Sequence, residues 1–253
     1  MIRILRKIKN RINRYLIKFP RRVQCNVCNW QGRRLLSDSW HPHTICPNCG
    51  SQVRHRLMVA AMCFSEQISI DSLVKDKKVL HFAPERQFTN SLMNNSSEYL
   101  TADFIRDDVD LRLDMCDMRV IEDNSLDLII ACDVLEHVSN DSTAMKEIFR
   151  ALRPEGWAIL TVPQKDGLKE TFEDKSIITE AGRLEAFGQE DHLRIYGDNF
   201  PDILELHNFK VTAIDEHNFI DEVVRKNVLF PPVLSSHPLA TNYRKVFFAQ
   251  KPS

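Results

Sequence analysis

Leu126-Asp127-Leu128-Ile129-Ile130-Ala131-Cys132-Asp133-Val134-Leu135-Glu136-His137-Val138 is the stretch that decides the architecture. Its first half is a short, almost unbroken apolar run, the composition of a strand covered on both faces inside a parallel sheet. An acid, Asp133, stands where the run stops. A helix follows over 141–152, with Met145, Ile148, Phe149 and Leu152 on one face. Working outward, strand patterns recur at 79–83, 99–102, 157–162, 211–214 and 246–249, and helical ones at 56–68, 88–93 and 201–208. Pro154-Glu155-Gly156 turns the chain into the strand at 157. This alternation predicts a doubly wound α/β sheet from about residue 77 onward.

In open parallel sheets, ligands bind outside the carboxyl ends of the strands. That rule selects Pro84-Glu85, Asp103-Phe104, Asp114-Met115 and Asp133. Four acids are expected there with no basic partner nearby in sequence. Carboxylates accept hydrogen bonds from ribose hydroxyls and amines and repel a pyrophosphate. The Gly-x-Gly-x-x-Gly turn is absent after the first strand, which disfavours a nicotinamide-dependent dehydrogenase. Any one of these acids alone could equally be a helix cap or a solvated loop residue.

The stretches Val79-Leu80-His81-Phe82-Ala83-Pro84-Glu85 and Tyr99-Leu100-Thr101-Ala102-Asp103, with the run ending Asp133-Val134-Leu135-Glu136-His137-Val138, resemble class I S-adenosylmethionine-dependent methyltransferases. Leu152-Arg153-Pro154-Glu155-Gly156-Trp157 resembles that family's turn before its fifth strand. The resemblance implies a Rossmann-like sheet with an antiparallel last strand. It places Glu85 and the turn His81, Phe82 and Ala83 at the methionine end of the cofactor. Asp103 falls on the ribose, Phe104 on the adenine, Asp114 and Met115 on the adenine amino group and ring, and Cys132 and Asp133 at the sulfonium. The family's glycine-rich first loop is replaced here by His-Phe-Ala-Pro.

Cys25, Cys28, Cys46 and Cys49 form two Cys-x-x-Cys pairs with seventeen residues between them. That spacing suits a structural zinc tetrahedron, with two disulfides or four unlinked thiols as the alternatives. Together with the block Phe187-Gly188-Gln189-Glu190-Asp191-His192-Leu193-Arg194-Ile195-Tyr196-Gly197, the knuckles resemble a bacterial subgroup of methyltransferases with an N-terminal zinc ribbon. Asp191, His192 and Tyr196 are the candidate catalytic groups, with a lid clipped by Arg194 as the structural alternative. His137 is expected to begin or cap the following helix.

Residues 1–22 hold nine Lys/Arg and no acid, leaving 25 basic against 35 acidic residues elsewhere. Leu5, Ile8, Ile12, Leu16 and Phe19 recur at helical spacing between these cations. Such a helix rests either on an anionic membrane through residues 1–20 or on the protein itself. The acidic remainder makes nucleic acid an unfavoured partner. No apolar run nears the roughly 18 residues needed to span a bilayer. Three units are expected: a basic helix (1–22), a zinc ribbon (23–56) and a methyltransferase domain (57–253). The expected setting is cytoplasmic or peripheral to the membrane's inner face, with a small-molecule, glycan or lipid-linked acceptor. Oligomeric state is left open. A scaffold that binds the cofactor without turnover, or a nucleic-acid methyltransferase gripping through its zinc module, are the other readings.

Overall fold

The computed structural model describes residues 23–37 and 40–253, so the basic helix expected over 1–22 lies outside the described residues. The centre is a seven-stranded sheet in the order β10-β11-β7-β6-β3-β4-β5. Its strands are β3 (Lys78–Phe82), β4 (Glu98–Asp103), β5 (Leu111–Arg112), β6 (Leu126–Cys132), β7 (Leu152–Thr161), β10 (Lys210–Ile214) and β11 (Val246–Gln250). Neighbours from β5 to β7 pair in parallel. The last strand, β11, runs antiparallel between β7 and β10, as the Rossmann-like expectation requires.

Both faces of the sheet are covered, and β6 shows why its sequence is continuously apolar. Leu126, Ile129 and Ala131 pack into the cluster holding the helix Asp141–Ala151 and Phe200. Leu128, Ile130 and Cys132 enter the opposite cluster with Leu57, Met58 and Phe88. A pleated strand sends alternate side chains to opposite faces, so burial on both sides removes the polar half of the pattern. Asn140 caps the helix Asp141–Ala151 by accepting from the Thr143 amide at 2.9 Å. His137, placed on that helix by the sequence, instead lies in the turn ahead of it.

Two short strands, β1 (Val23–Gln24) and β2 (Gln31–Gly32), open the ribbon, which leads directly into the helix α1 (Val53–Ala61). This helix starts and stops earlier than the 56–68 read from periodicity, and it runs across residue 56. Strands β8 (Phe172–Glu173) and β9 (Arg194–Ile195) pair beside the sheet, with the helix Glu180–Phe187 between them. These elements were not legible as strands because each has two residues. Among the described residues no helix is long and apolar enough to cross a membrane.

Gly197 holds this second layer against the loop after β7. A Cβ built there would stand 2.6 Å from the Glu170 carbonyl carbon and 2.9 Å from its nitrogen and oxygen. Backbone cannot yield as a side-chain tip can. Gly197→Ala is expected to cost about 1–3 kcal/mol, read as a lower urea midpoint with an unchanged slope. A midpoint equal to the parent's would show that the 163–172 loop gives way freely.

Candidate active site

Two clefts open at the carboxyl ends of the strands, where strand order reverses between β3 and β6. The first has a volume of about 450 Å³ and is lined by Phe82, Ala83, Asp103, Phe104, Leu113, Asp114, Met115, Asp133, Val134 and His137, among others. The second, about 380 Å³, is lined by Trp40, Arg54, Pro163, Gln189, His192, Leu239 and Arg244, and it also reaches Asp133. Asp133 is therefore the wall common to both.

Local geometry explains how the acids reach the first cleft. Asp103 ends β4, and its Oδ1 accepts from the amides of Ile105 at 2.8 Å and Arg106 at 3.0 Å. That turn carries Phe104 outward, where 65% of its surface is exposed. Asp114 makes the same kind of turn, accepting from the Cys116 amide at 2.8 Å. Ala83 takes φ +47°, a left-handed conformation that normally calls for glycine. The chain thus makes the turn after β3 with an alanine where a glycine would be expected.

The other two acids are not open, contrary to the sequence reading. Asp133 receives hydrogen bonds from Arg244 and from Thr161 Oγ1 (2.8 Å) and an ion pair from Arg54 at 3.3 Å. Burial pushes its carboxyl up, but the Arg244 and Arg54 guanidiniums outweigh that and hold it well below the usual range. Glu85 faces α1, 3.1 Å from Arg54 and 2.5 Å from His55 Nε2. The Gln52 amide donates to His55 Nδ1 at 2.8 Å, so Nε2 carries the proton toward Glu85. Burial pushes the His55 imidazole down, consistent with that neutral form. Both arginines lie far from their acids in sequence, which is why the ion pairs were invisible there.

Other expected site residues turn elsewhere. His81 is fully buried in β3, with Nδ1 2.8 Å from the Tyr99 hydroxyl, and it lines neither cleft. Cys132 points under the sheet, 3.6 Å from the Met58 sulfur. Tyr196 lies in the core with its hydroxyl donating to Asp141 at 2.9 Å, out of reach of an acceptor. His192 does face the second cleft and Asp191 the first, but they form no dyad. Asp191 pairs with His137 Nδ1 at 3.1 Å, while His192 Nδ1 lies 3.2 Å from the Phe187 carbonyl. Burial lowers the His192 imidazole to about 4. Arg194 is fully buried and donates to the carbonyls of Leu135 (2.7 Å) and Val138 (2.8 Å), fixing the turn that bears Glu136 and His137.

The cysteine cluster is equally well formed. Sγ atoms of Cys25 and Cys49 are 3.7 Å apart, as are those of Cys28 and Cys46, and all four lie within 4.8 Å. A zinc tetrahedron with bonds near 2.3 Å has edges of about 3.8 Å. None of the four is in a disulfide. After each second cysteine, Asn29 (φ +57°) and Gly50 (φ +75°) turn left-handed, and their amides donate back to Cys25 and Cys46 at 2.8 and 2.9 Å. The buried Arg56 guanidinium donates to carbonyls of Ser51, Thr44, Val228 and Asn227. The anionic groups acting on it are the four cysteine sulfurs. Were the four to hold a dication as thiolates, the cluster would remain anionic and would balance that buried cation.

Residues 77–160 match a family model described as a methyltransferase domain. No curated protein matches the chain by sequence. Among solved structures, an S-adenosylmethionine-dependent methyltransferase from Mesorhizobium loti aligns at 12% identity over 76% of this chain and 95% of its own, with a TM-score of 0.50. The [4+2]-cyclase SpnF aligns at 14% identity over 87% and 86%, with a TM-score of 0.51. A 1,6-didemethyltoxoflavin-N1-methyltransferase from Burkholderia thailandensis, with bound S-adenosylhomocysteine, aligns at 14% identity over 71% and 72% and a TM-score of 0.47. The first two likenesses establish the fold, and since a cyclase shares it, the sheet alone does not name the reaction. The matched segment does: it runs from the start of β3 into β7 and supplies most of the strand ends around the first cleft. Over those residues the chain carries a methyltransferase domain.

Proposed function

We propose that the first cleft holds S-adenosylmethionine and the second its methyl acceptor, the two meeting at the edge that Asp133 lines in both. The observation that carries this is the pair of clefts meeting at Asp133. Bound there, the cofactor supplies an electrophilic methyl on a sulfonium. Asp103 keeps one oxygen in its own turn and offers the other to a ribose diol, and the exposed Phe104 ring and Met115 flank the adenine. Asp114 accepts from the adenine amino group. Arg54, pinned between Glu85 and Asp133, is a fixed cation lining the second cleft behind the Asp133 that both share. Aligning donor and acceptor and excluding water supply most of what such a displacement needs.

The second cleft presents a tryptophan face, an amide, an imidazole and two guanidiniums, a lining suited to a hydroxyl-rich acceptor such as a glycan or lipid-linked sugar. Zinc on Cys25, Cys28, Cys46 and Cys49 holds the ribbon that carries α1 to this cleft, consistent with a zinc-ribbon subgroup of methyltransferases. A cytoplasmic protein touching the inner membrane face through residues 1–20 completes the proposal.

Calorimetry with S-adenosylmethionine tests the assignment. Asp103→Ala should weaken binding by about one to two orders of magnitude, the worth of a charge-assisted hydrogen bond of about 1.5–3 kcal/mol. Binding as tight as the parent's would remove Asp103 from the ribose. Mass spectrometry of treated extracts then identifies the product that gains a methyl group.

A further inference from the structure

We propose that Glu136, His137 and His192 bind a first-row divalent metal ion, at a site separate from the four cysteines. Glu136 Oε1 lies 4.0 Å from Nε2 of His137 and 4.0 Å from Nε2 of His192, and the three atoms fall within 4.8 Å of one another. At 4.0 Å neither contact is a hydrogen bond. The three side chains converge without bonding to each other.

What lies behind the rings points to a ligand. Asp191 Oδ2 stands 3.1 Å from His137 Nδ1, and the Phe187 carbonyl stands 3.2 Å from His192 Nδ1. A carbonyl only accepts, so Nδ1 of His192 carries the proton and Nε2 presents a lone pair to Glu136. A carboxylate behind one imidazole and a carbonyl behind the other is the support that metal-bound histidines use. Glu136 is 1% exposed and His192 2%. Among the described residues, His192 Nε2 and Glu136 Oε2 are buried without a hydrogen-bond partner. A buried carboxylate that faces acceptor nitrogens and has one oxygen, Oε2, without a donor is costly unless a cation completes the group.

The backbone is built to keep the three together. Arg194 clamps the turn on which Glu136 and His137 sit, and the Leu193 amide donates to the Glu136 carbonyl at 2.8 Å, tying the His192 loop alongside. Two imidazoles and one carboxylate suit manganese, iron, cobalt or zinc. Bonds near 2.1 Å to neighbouring positions of an octahedron set donors about 3.0 Å apart, so binding draws the three inward by about 1 Å. His137 lines the first cleft and His192 the second, which puts the ion between them. Resting on the acceptor assignment above, the ion's remaining positions take oxygen atoms of that acceptor.

The test is a titration of the full, zinc-loaded protein with Mn(II), followed by the electron paramagnetic resonance of the free ion. Manganese favours oxygen and imidazole over thiolate, so the cysteine cluster stays silent. About one Mn(II) should bind per chain, and Glu136→Gln and His192→Ala should abolish it, with circular dichroism reporting that each variant is folded. Asp191 has an exposed side chain, so Asp191→Asn keeps the test open if the buried variants fail to fold. It should weaken Mn(II) binding about 10- to 100-fold. No bound Mn(II), or parental affinity in Asp191→Asn and His192→Ala, overturns the site. Because the readout is metal and not turnover, a failed acceptor assignment with Mn(II) still bound leaves the metal site standing.

Discussion

The Cys46→Ser protein is expected to lose its zinc and release the N-terminal ribbon from the sheet. Apparent metal-binding free energies of about 10–16 kcal/mol in zinc-finger peptides are folding free energy for the segment that holds the ion. Its own secondary structure is slight, two strands of two residues each and a bridge from Leu36 to Ile45, so beyond the ion it depends on the Arg56 and Asn26 hydrogen bonds to the body of the protein. Without the ion, Arg56 is left as a buried cation satisfied only by carbonyls. Limited proteolysis should then cut within 23–52, metal analysis should read no zinc, and the far-ultraviolet signal of the seven-stranded sheet should persist. Cleavage resistance equal to the parent's, with no metal bound, would mean that packing alone holds the ribbon. Affinity for S-adenosylmethionine should fall as well, because α1 carries Arg54 and His55 onto Glu85 and Asp133.

Asp133→Ala should destabilise the fold by about 3 kcal/mol or more, since it leaves Arg244 an uncompensated, largely buried charge beside Arg54, which keeps only Glu85. The Arg54 and Arg244 side chains are 23% and 10% exposed, so solvent relieves only part of the repulsion. Urea denaturation measures it. Asp133→Ala/Arg244→Met removes one cation with the acid and should recover part of the loss. The same cluster sets a pH dependence. The Asp133 carboxyl is held below its unfolded value of about 3.9, so its contribution is complete above that pH and fades as pH falls through the folded value. A denaturation midpoint that stays level between pH 6 and about 3 would contradict the ion pairs. An Asp133→Ala midpoint within error of the parent's would do the same.

Much of this was legible in the sequence because it is written locally. The span of β6 follows from the run Leu126–Cys132, whose burial on both faces leaves no polar alternation to misread. The paired knuckles follow from spacing, and the acids at the ends of β4 and β6 follow from the parallel-sheet rule. What escaped is set by distance along the chain. Arg244 reaches Asp133 across 111 positions, and Arg54 reaches Glu85 across 31. Neither side chain carries a sign of its partner. Asp191 and His192 read as a dyad because they are adjacent, yet the chain turns at Asp191, and each joined a different partner. Tyr196, two residues beyond Arg194, followed the strand into the core.

The place of Arg244 has a consequence for how the enzyme is made. A ribosome delivers the ribbon first, then the matched segment through β7, and both could begin to fold as they emerge. Strand β11, which inserts between β7 and β10, is synthesised after every other strand of the sheet, and Arg244 comes two residues before it. Until then Asp133 has only one of its two guanidiniums, and the edge that the clefts share is unfinished. The Arg54–Asp133–Arg244 cluster shared by the two clefts therefore cannot close before synthesis has passed residue 244, and it is braced only once β11 has completed the sheet.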